Sequence, residues 1–372
     1  MKRFFPFLIL LAAVSCASEQ KRVFNIADFG AFEGQVCTQA IQQAMDQCSE
    51  AGGGRVVVPA GTYQSATLYL RDGVELFLTD GAVLQGLETP DAYEPYIPKH
   101  DLTRYDSGNG TANSNCVNDR QWMKALIIGD GVADAAIIGP GTIDGRHVFD
   151  ARGEEGMRGP HTIIVAEAAR FRMQDVNITR AANYAFLGYA LENPVFEGVT
   201  ITEGWDGIHI RGAKDAVIRG CSFQTGDDSI AGGYWDNMLI EACEINSSCN
   251  GIRIIMPCDG VTIRDSHFYG PGVYPHRTSG EARRNNMLFG VSLEPGAWGK
   301  ASGVMRNILL QNLSMENLSS PVATSVREGS VAEDLTLQDI TATGLTGAVT
   351  PIVSWNDLGF RSVTVRGCRC CR

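Results

Sequence analysis

The stretch Val217-Ile218-Arg219-Gly220-Cys221-Ser222-Phe223 is followed, 22 residues later, by Leu239-Ile240-Glu241-Ala242-Cys243-Glu244-Ile245. Both fit one template, in which two pairs of alternating apolar residues are separated by two other residues. Nine stretches of the chain fit this template, and one apolar position in each serves as its anchor: 138, 173, 196, 218, 240, 263, 310, 337 and 365. The steps between anchors are 35, 23, 22, 22, 23, 47, 27 and 28 residues, and the step of 47 is close to two repeats.

A repeat of this length that consists of short strands predicts a solenoid. Alternation within each strand indicates one buried face, and strands this short can bury that face only when neighbouring repeats stack. We therefore predict an all-β fold, a single-stranded right-handed parallel β-helix. An antiparallel β-sandwich is the alternative, but sandwich strands do not share a common frame from one repeat to the next.

Length and composition are consistent with one such domain. The chain has 372 residues, of which 42 are glycine and 20% are charged, as expected for a turn-rich β protein. Solenoids grow by adding repeats, and no Pro- or Ser-rich linker interrupts them, so we predict one domain over residues 22–372. The net charge of -11 argues against a nucleic-acid partner. It does not exclude a sugar-like substrate, which senses only the local field of its cleft.

The first residues have the features of a targeting segment. Two basic residues precede the apolar run Phe4–Leu11, which is too short to span a bilayer stably. We predict a signal peptide over residues 1–17 and a lipoprotein attached to a membrane through a lipid on Cys16. Ordinary cleavage after Ala17 is the alternative. Both predict export: to the periplasm, outer membrane or cell surface as a lipoprotein, and otherwise secretion.

Two kinds of segment depart from the repeat. The apolar pattern from Thr38 to Cys48 predicts an amphipathic helix that caps the open N-terminal end of the solenoid. Residues 88–125 and 269–286 have no period, and we predict that they are loop excursions forming walls of a cleft. The second excursion is basic and aromatic.

The eleven cysteines do not form an obvious disulfide framework. Cys221, Cys243 and Cys368 occupy the same inward position of the template, so we predict small core residues. Cys249 with Cys258, and the cysteines at the C-terminus, are candidates for oxidation. The sequence has no Cys/His spacing typical of a zinc site.

Acidic residues concentrate where the repeats turn. The residues that stand ten positions after their anchors are Asn183, Asp206, Asp228 and Asn250. We predict that these four stack in one column at about 4.8 Å per coil, with Asp227 beside them and Cys249 stacked on Asp227. Carboxylates at that spacing raise one another's proton affinity, so at least one should stay protonated near neutral pH. Glycoside hydrolysis needs such a combination, whereas a purely structural Asn/Asp ladder is the alternative.

Other side chains beside these turns are candidates for substrate binding. His209 and Arg253 stand thirteen positions after their anchors and flank inward isoleucines, so both should point outward in one column, about 10 Å apart. Arg253 can hold an acidic or hydroxyl-rich ligand. Aromatic rings near the turns can stack on sugar faces or pack in the core; they are Trp205, Tyr234, Trp235 and Trp298.

These motifs resemble glycoside hydrolase family 28, the polygalacturonase family, over most of the chain. The resemblance includes Gly139-Pro140-Gly141-Thr142-Ile143-Asp144-Gly145 and Gly226-Asp227-Asp228-Ser229-Ile230-Ala231, with the family's gap of 21 residues between Asp206 and Asp227. It implies a pectin-lyase-like right-handed β-helix and an inverting hydrolase that needs no metal or other cofactor. It also implies that Asp227 is the general acid and that Asp206 and Asp228 activate water.

Three motifs differ from the family pattern. Gly204-Trp205-Asp206 replaces Asn-Thr-Asp, and Cys249-Asn250-Gly251 replaces Gly-His-Gly, so the family histidine is missing. Ser292-Leu293-Glu294 occupies the position of the Arg-Ile-Lys that grips the galacturonate carboxylate. We predict that Arg253, with Arg283, Arg284 or Lys300 as further candidates, binds a uronate instead.

We therefore predict a hydrolase of a pectin-like, galacturonide-containing polysaccharide or oligosaccharide, acting as a monomer. The predicted substrate-binding residues are Trp205, His209, Asn250, Arg253 and Arg283. One alternative is a polysaccharide lyase in which the aspartates bind Ca²⁺ and an arginine removes a proton. Another is a glycan-binding β-helix without catalysis.

Overall fold

The computed structural model describes residues 21–106, 115–297, 303–356 and 358–372. The predicted signal peptide, with Cys16, lies outside these residues. In the described residues the chain forms 30 strands joined into one sheet by parallel pairings. The predicted parallel β-helix is confirmed.

The N-terminal strands build the first coils and their stacking partners. β1 to β13, in chain order, are Val23–Asn25, Gly54–Val58, Gly61–Ser65, Leu68–Tyr69, Val74–Leu78, Ala82–Gly86, Ala125–Asp130, Ala136–Ile138, Thr142–Asp144, His161–Ala166, Arg172–Gln174, Asn177–Thr179 and Phe186–Glu192.

The later strands continue the same three-sided coil. β14 to β30 are Val195–Glu197, Thr200–Thr202, Ile208–Arg219, Ser222–Thr225, Ile230–Glu241, Glu244–Ser247, Asn250–Ile254, Cys258–Arg264, His267–Tyr269, Phe289–Leu293, Val304–Glu316, Ser320–Thr324, Val331–Ala332, Leu335–Thr343, Ile352–Ser354, Val363–Arg366 and Arg369–Cys370.

Each template copy is a bent strand or a pair of strands, and the bend has a defined backbone cause. In eight copies the residue at the bend has a positive φ, between 50° and 63°; these residues are Asp175, Gly198, Gly220, Ala242, Asp265, Asn312, Asp339 and Gly367. Glycine adopts this left-handed conformation without penalty, and Asn and Asp tolerate it. Only Ala242 lacks that advantage, at a cost of about 1–2 kcal/mol. The two residues between the apolar pairs therefore turn the chain from one sheet face to the next.

Stacking follows the predicted period except at one step. Ile208 pairs with Ile230, which pairs with Ile252, and all three side chains are fully buried. The step of 47 residues was predicted to be close to two repeats, and this is wrong. Ile263 pairs directly with Leu310, so the step is one coil, enlarged because the excursion that contains residues 269–286 leaves and rejoins it.

The predicted N-terminal helix is present and caps the solenoid. Helix α1, Thr38–Glu50, buries Ile41, Met45 and Cys48 against the first strands. Five short 3-10 helices lie in connections; they are Ile26–Phe29, Pro90–Ala92, Thr103–Tyr105, Glu154–Gly156 and Arg277–Ala282. No helix among the described residues has both the length and the hydropathy needed to cross a membrane. The ten cysteines in the described part of the chain are free thiols.

The first excursion folds back over the outside of the solenoid. Its side chains Tyr96, Val117 and Trp122 form a second apolar core with Leu187 and Tyr189 of β13. The second excursion leaves the coil after β22 and returns at β23. Both predicted excursions therefore exist, and they frame the outer surface on which the polar candidates lie.

Candidate active site

The stacking register brings the three aspartates together. Asp206 and Asp228 each precede by two residues a strand position that pairs with its neighbour, Ile208 with Ile230. The Gly207 amide donates a hydrogen bond to the carbonyl of Asp228 at 2.9 Å, which fixes the step from coil to coil. Carboxylate oxygens of Asp206, Asp227 and Asp228 lie within 4.8 Å of one another. The predicted convergence is thus present.

The column below Asp206 differs from the prediction. Phe186 pairs with Ile208, which places Tyr184, and not Asn183, in line with Asp206. The preceding turn is one residue shorter than the spacing from Met173 implied. The Tyr184 ring stacks on the ring of His209, with centroids 4.6 Å apart and planes at 4°. An aromatic residue therefore closes the polar column on its N-terminal side.

Asp206 and Asp228 both favour the protonated form. Burial is the largest cause that raises the pKa of Asp206 well above its ordinary value, and the charges of Asp227 and Asp228 add to it. Burial and then the charge of Asp227 raise the pKa of Asp228 to about 6, against the opposing effects of Arg253 and Asn250. His209 Nδ1 lies 2.7 Å from Asp206 Oδ2, which fixes that carboxyl in place.

Asp227 is the member of the cluster that its surroundings keep ionised. Burial alone would raise its pKa, but His276 and then the charges of Arg158 and Arg253 hold the pKa of Asp227 below its ordinary value. His276 Nε2 and Arg158 Nη2 each lie 3.5 Å from Asp227 Oδ2. One carboxylate with two cationic neighbours thus faces two carboxyls that retain protons.

Trp205 packs beneath these cations and not against solvent. Its side chain is 1% exposed, with the Arg158 guanidinium 3.8 Å above the ring centroid and the His276 ring at its edge. A cation over an indole face is favourable, especially where water is excluded. Trp205 therefore positions Arg158 over the cluster.

Asn250 and Cys249 complete the turn on the next coil. Asn250 donates from Nδ2 to Asp228 Oδ1 at 2.7 Å, and its backbone amide donates to the same oxygen. The Cys249 thiol lies within 4.8 Å of Asp227 and His276, as predicted for its stacking on Asp227. Asn250 is buried, so in this arrangement it orients Asp228.

Arg253 lies on the more open side of the cluster. It shares a column with His209 through Ala231, as predicted, and its side chain is 22% exposed. Its guanidinium lies 3.9 Å from Asp228 and 3.3 Å from Glu294, and Ser292 Oγ donates to Glu294 at 2.6 Å. The positive charge thus stands one coil before Ser292-Leu293-Glu294.

The predicted substrate-binding residues occupy three environments. Trp205 and Asn250 are buried, and His209 has no exposed side-chain surface. Arg253 is partly exposed, and Arg283 is exposed on the second excursion. Trp235 is buried and donates to the Ile210 carbonyl at 2.9 Å, which is a packing role. Trp298 and Lys300 lie outside the described residues.

The sequence alone did not identify Arg158 or His276 as members of the site. Arg158 lies in the connection before β10, where no repeat marks its place. His276 lies in the excursion that was singled out as basic and aromatic, and this composition was the available signal. Tyr184 was missed because the turn before it is one residue short.

The carboxylate cluster is a poor fit for a divalent cation. Its three aspartates offer oxygen ligands close enough for an ion, but Arg158 and Arg253 have nitrogens within 4 Å of Asp227 and Asp228. These guanidiniums already compensate the acidic charge, so a cation would meet repulsion where calcium sites offer uncompensated carboxylates. The set Asp227, Cys249 and His276 faces the same arginine.

Comparisons with known proteins agree with the geometry. Residues 161–297 match the family model described as "Right handed beta helix region", which agrees with the predicted hand. The chain is 27% identical over 252 residues to an exo-poly-alpha-D-galacturonosidase of Dickeya chrysanthemi, covering 56% of this chain and 41% of that protein. The chain is similar to polygalacturonases. The resemblance predicted from its motifs is confirmed.

Solved structures support the fold of this polygalacturonase-like chain. An exopolygalacturonase from Thermotoga maritima superposes with a TM-score of 0.65 at 17% identity, covering 94% of this chain and 92% of that one. The A-module of a mannuronan C-5 epimerase from Azotobacter vinelandii has a TM-score of 0.63 at 14% identity, covering 93% and 87%. The chain spans about half the length of the curated relatives that it matches.

Proposed function

We propose that this protein is a glycoside hydrolase that cleaves O-glycosidic bonds in a pectin-like, galacturonide-containing glycan. The observation that carries the proposal is the convergence of Asp206, Asp227 and Asp228 within 4.8 Å. Its support is the difference in proton affinity among them, because hydrolysis needs a proton donor and a water-activating carboxylate at one bond. The similarity to polygalacturonases supports the substrate class.

In the proposed reaction, a carboxyl proton passes to the glycosidic oxygen while a carboxylate takes a proton from water. Asp227 is the proposed donor, and Asp206 and Asp228 hold the water. Asp228, with a pKa of about 6, is ionised at and above that pH, so it is the member of this pair best suited to accept a proton near neutral pH. His209 fixes Asp206, and Asn250 fixes Asp228.

The donor role of Asp227 requires a proton that its cationic neighbours oppose. His276 is the first-named cause that lowers the pKa of this carboxyl, so a neutral imidazole would allow Asp227 to hold a proton. We propose that His276 and Asp227 share one proton, which stands on the carboxyl when the bond breaks. His276 would then serve where the family histidine is missing, and it comes from an excursion instead of a coil.

The stereochemical course is part of the proposal. A close separation of two carboxylates is typical of retention, whereas inversion usually leaves more room for water. We propose inversion, because Asp206 and Asp228 lie in one column and can hold a single water between them. A retaining nucleophile acts alone. Proton NMR of the first anomer released will decide between the two outcomes.

Arg253 is the proposed contact for a uronate carboxylate. It is the partly exposed cation of the cluster, and guanidinium binds carboxylate in a fixed two-pronged geometry. A lyase would instead need an arginine that accepts a proton, but Asp228 and Glu294 raise the pKa of Arg253 further. This contact pattern favours hydrolysis over elimination.

The test is a panel of pectic oligosaccharides and polysaccharides, with products resolved by anion-exchange chromatography. We expect saturated products from wild type and none from the Asp227→Asn variant. Products that absorb ultraviolet light, formed only without a chelator, would replace hydrolysis by the lyase. Glycan binding without any product would leave the non-catalytic β-helix.

A further inference from the structure

The outer surface of the solenoid is closed on one side of the carboxylates. The outward positions that stack along it are Ile164, Leu187, His209, Ala231, Arg253 and Ser292. We call this set the outer column. Its first three side chains are fully buried beneath the first excursion, whereas Arg253 is partly exposed. A glycan lying along this column would therefore have free length on the Arg253 side only.

The cover is held by specific contacts with polar and aromatic groups. Arg211, next outward after His209 on β16, is fully buried and donates to the Asn115 carbonyl at 2.8 Å. Tyr105 packs directly on Gly212, where an added Cβ would stand 2.4 Å from the ring. Breaking these contacts would expose a buried guanidinium, so the cover is a fixed part of the fold.

Stacked rings fill the space between the cover and the cluster. The ring centroids of Trp122 and His161 are 4.7 Å apart, those of His161 and Tyr184 are 5.1 Å apart, and those of Tyr184 and His209 are 4.6 Å apart. The last ring contacts Asp206. A sugar chain passing Asp206 in this direction would have to displace the whole row.

A second contact closes the flank on which Trp205 lies. Thr278 of the second excursion donates to Glu155 at 2.8 Å, and Glu155 also accepts from Arg158. The connection before β10 and the second excursion thus meet above the cluster. We call the Thr278–Glu155 contact the bridge.

We infer that the cleft is blind-ended at Asp206, so that the protein acts on glycan chain ends and releases a product of one short length. This inference rests on the proposed function. The terminal C–O bond breaks, the donor proton passes to the departing oxygen, and the water oxygen joins the anomeric carbon while a carboxylate takes its proton. What the wall adds is a limit on how many sugar units extend beyond that bond.

The first test follows product size during hydrolysis of polygalacturonate and of a defined galacturonide series. One short product should be present from the earliest time points, with little loss of viscosity per bond cleaved. A ladder of intermediate lengths with a rapid fall in viscosity would overturn the inference and keep the proposed function. Absence of any turnover on every pectic glycan would overturn both.

The second test uses oligogalacturonides that carry a bulky aromatic cap at one end or at the other. One capped isomer should be cleaved about 100-fold more slowly than the uncapped oligomer, because its cap clashes with the closed end. The other isomer should react at an unchanged rate, since its cap extends into solvent. Equal rates for the two isomers would overturn the inference.

A matched pair of variants connects this selectivity to the bridge. Thr278→Val removes the bridging hydroxyl and retains the side-chain shape, and it should speed cleavage of the excluded isomer by about threefold or more, as expected for loss of one hydrogen bond. Glu281→Gln, on the same excursion and exposed, should change nothing. Identical selectivity in Thr278→Val and wild type would remove the bridge from the proposed wall.

Discussion

His209 and Arg253 occupy the same position of the coil, in one column and two coils apart, yet their surroundings are opposite. His209 is enclosed between Tyr184 and Asp206, and the first excursion seals it. Arg253 faces acidic groups and retains contact with solvent. The comparison teaches that the coil sets where a side chain starts and that the excursions decide whether it meets a ligand.

Two arginines sharpen the same contrast. Arg211, on the covered side, is fully buried between Tyr189, Trp122 and the Asn115 carbonyl, so it holds the cover to the solenoid. Arg253, on the open side, compensates Asp228 and can exchange that partner for a ligand. Arginines are suited to both tasks because the guanidinium stays charged and forms several directed hydrogen bonds. The predictions below separate a structural half of the surface from a chemical half.

The largest effect is expected on the chemical side, for Asp227→Asn. Removing the proposed proton donor should lower kcat by about 10³-fold or more, while a buried amide of the same shape preserves the fold. Steady-state rates on a galacturonide and circular dichroism measure the two effects. Asp236→Asn, an exposed aspartate of β18, is the matched control and should be neutral. Activity near wild type in Asp227→Asn would exclude the donor role.

On the structural side, Arg211→Met should destabilise the fold without removing a reacting group. The variant leaves Asp106 and the Asn115 carbonyl without their buried cation, at a cost of about 3 kcal/mol in the free energy of unfolding. Chemical denaturation followed by tryptophan fluorescence measures it. Lys214→Met, on the same strand and exposed, is the control. Equal midpoints for the two variants would show that the cover contributes little stability.

His276→Gln should reduce kcat/KM by about 10- to 100-fold, the range expected for a group that assists proton transfer. If His276 and Asp227 share a proton, the pair retains that proton to a higher pH than a lone carboxyl does. Loss of the imidazole should then move the high-pH limb of the kcat/KM profile to lower pH. A merely structural histidine would lower the rate and leave the profile in place. Glu281→Gln serves again as the neutral control.

The parts of the molecule that repeat were predictable from sequence. The bends with positive φ, the stacking of Asp206 on Asp228 and the shared column of His209 and Arg253 all follow from one period, because each coil contacts only its neighbours. The enlarged coil between Ile263 and Leu310 was misjudged for the opposite reason. A length in residues does not distinguish an extra coil from an excursion.

The charges that surround the carboxylates were not predictable in the same way. Arg158 and His276 come from connections whose paths no repeat defines, and they meet only through tertiary contacts such as Thr278 with Glu155. His209 and Trp205 were expected beside a ligand because the coil points them outward. That the excursions bury them could be seen only once those segments were placed.

The smallest predicted effect concerns Arg253→Met and tests how the open side tunes Asp228. A proton-accepting Asp228 must be ionised, so kcat/KM should be retained above the pKa of about 6 and fall as the pH decreases through it. Arg253 opposes the rise in that pKa, so its loss should move the low-pH limb upward by about one pH unit. Glu294→Gln keeps the positive charge and removes its other partner, so its limb should not move upward. Superimposable low-pH limbs for Arg253→Met and wild type would show that Asp228 does not control the rate and would end the assignment of Asp228 as the base.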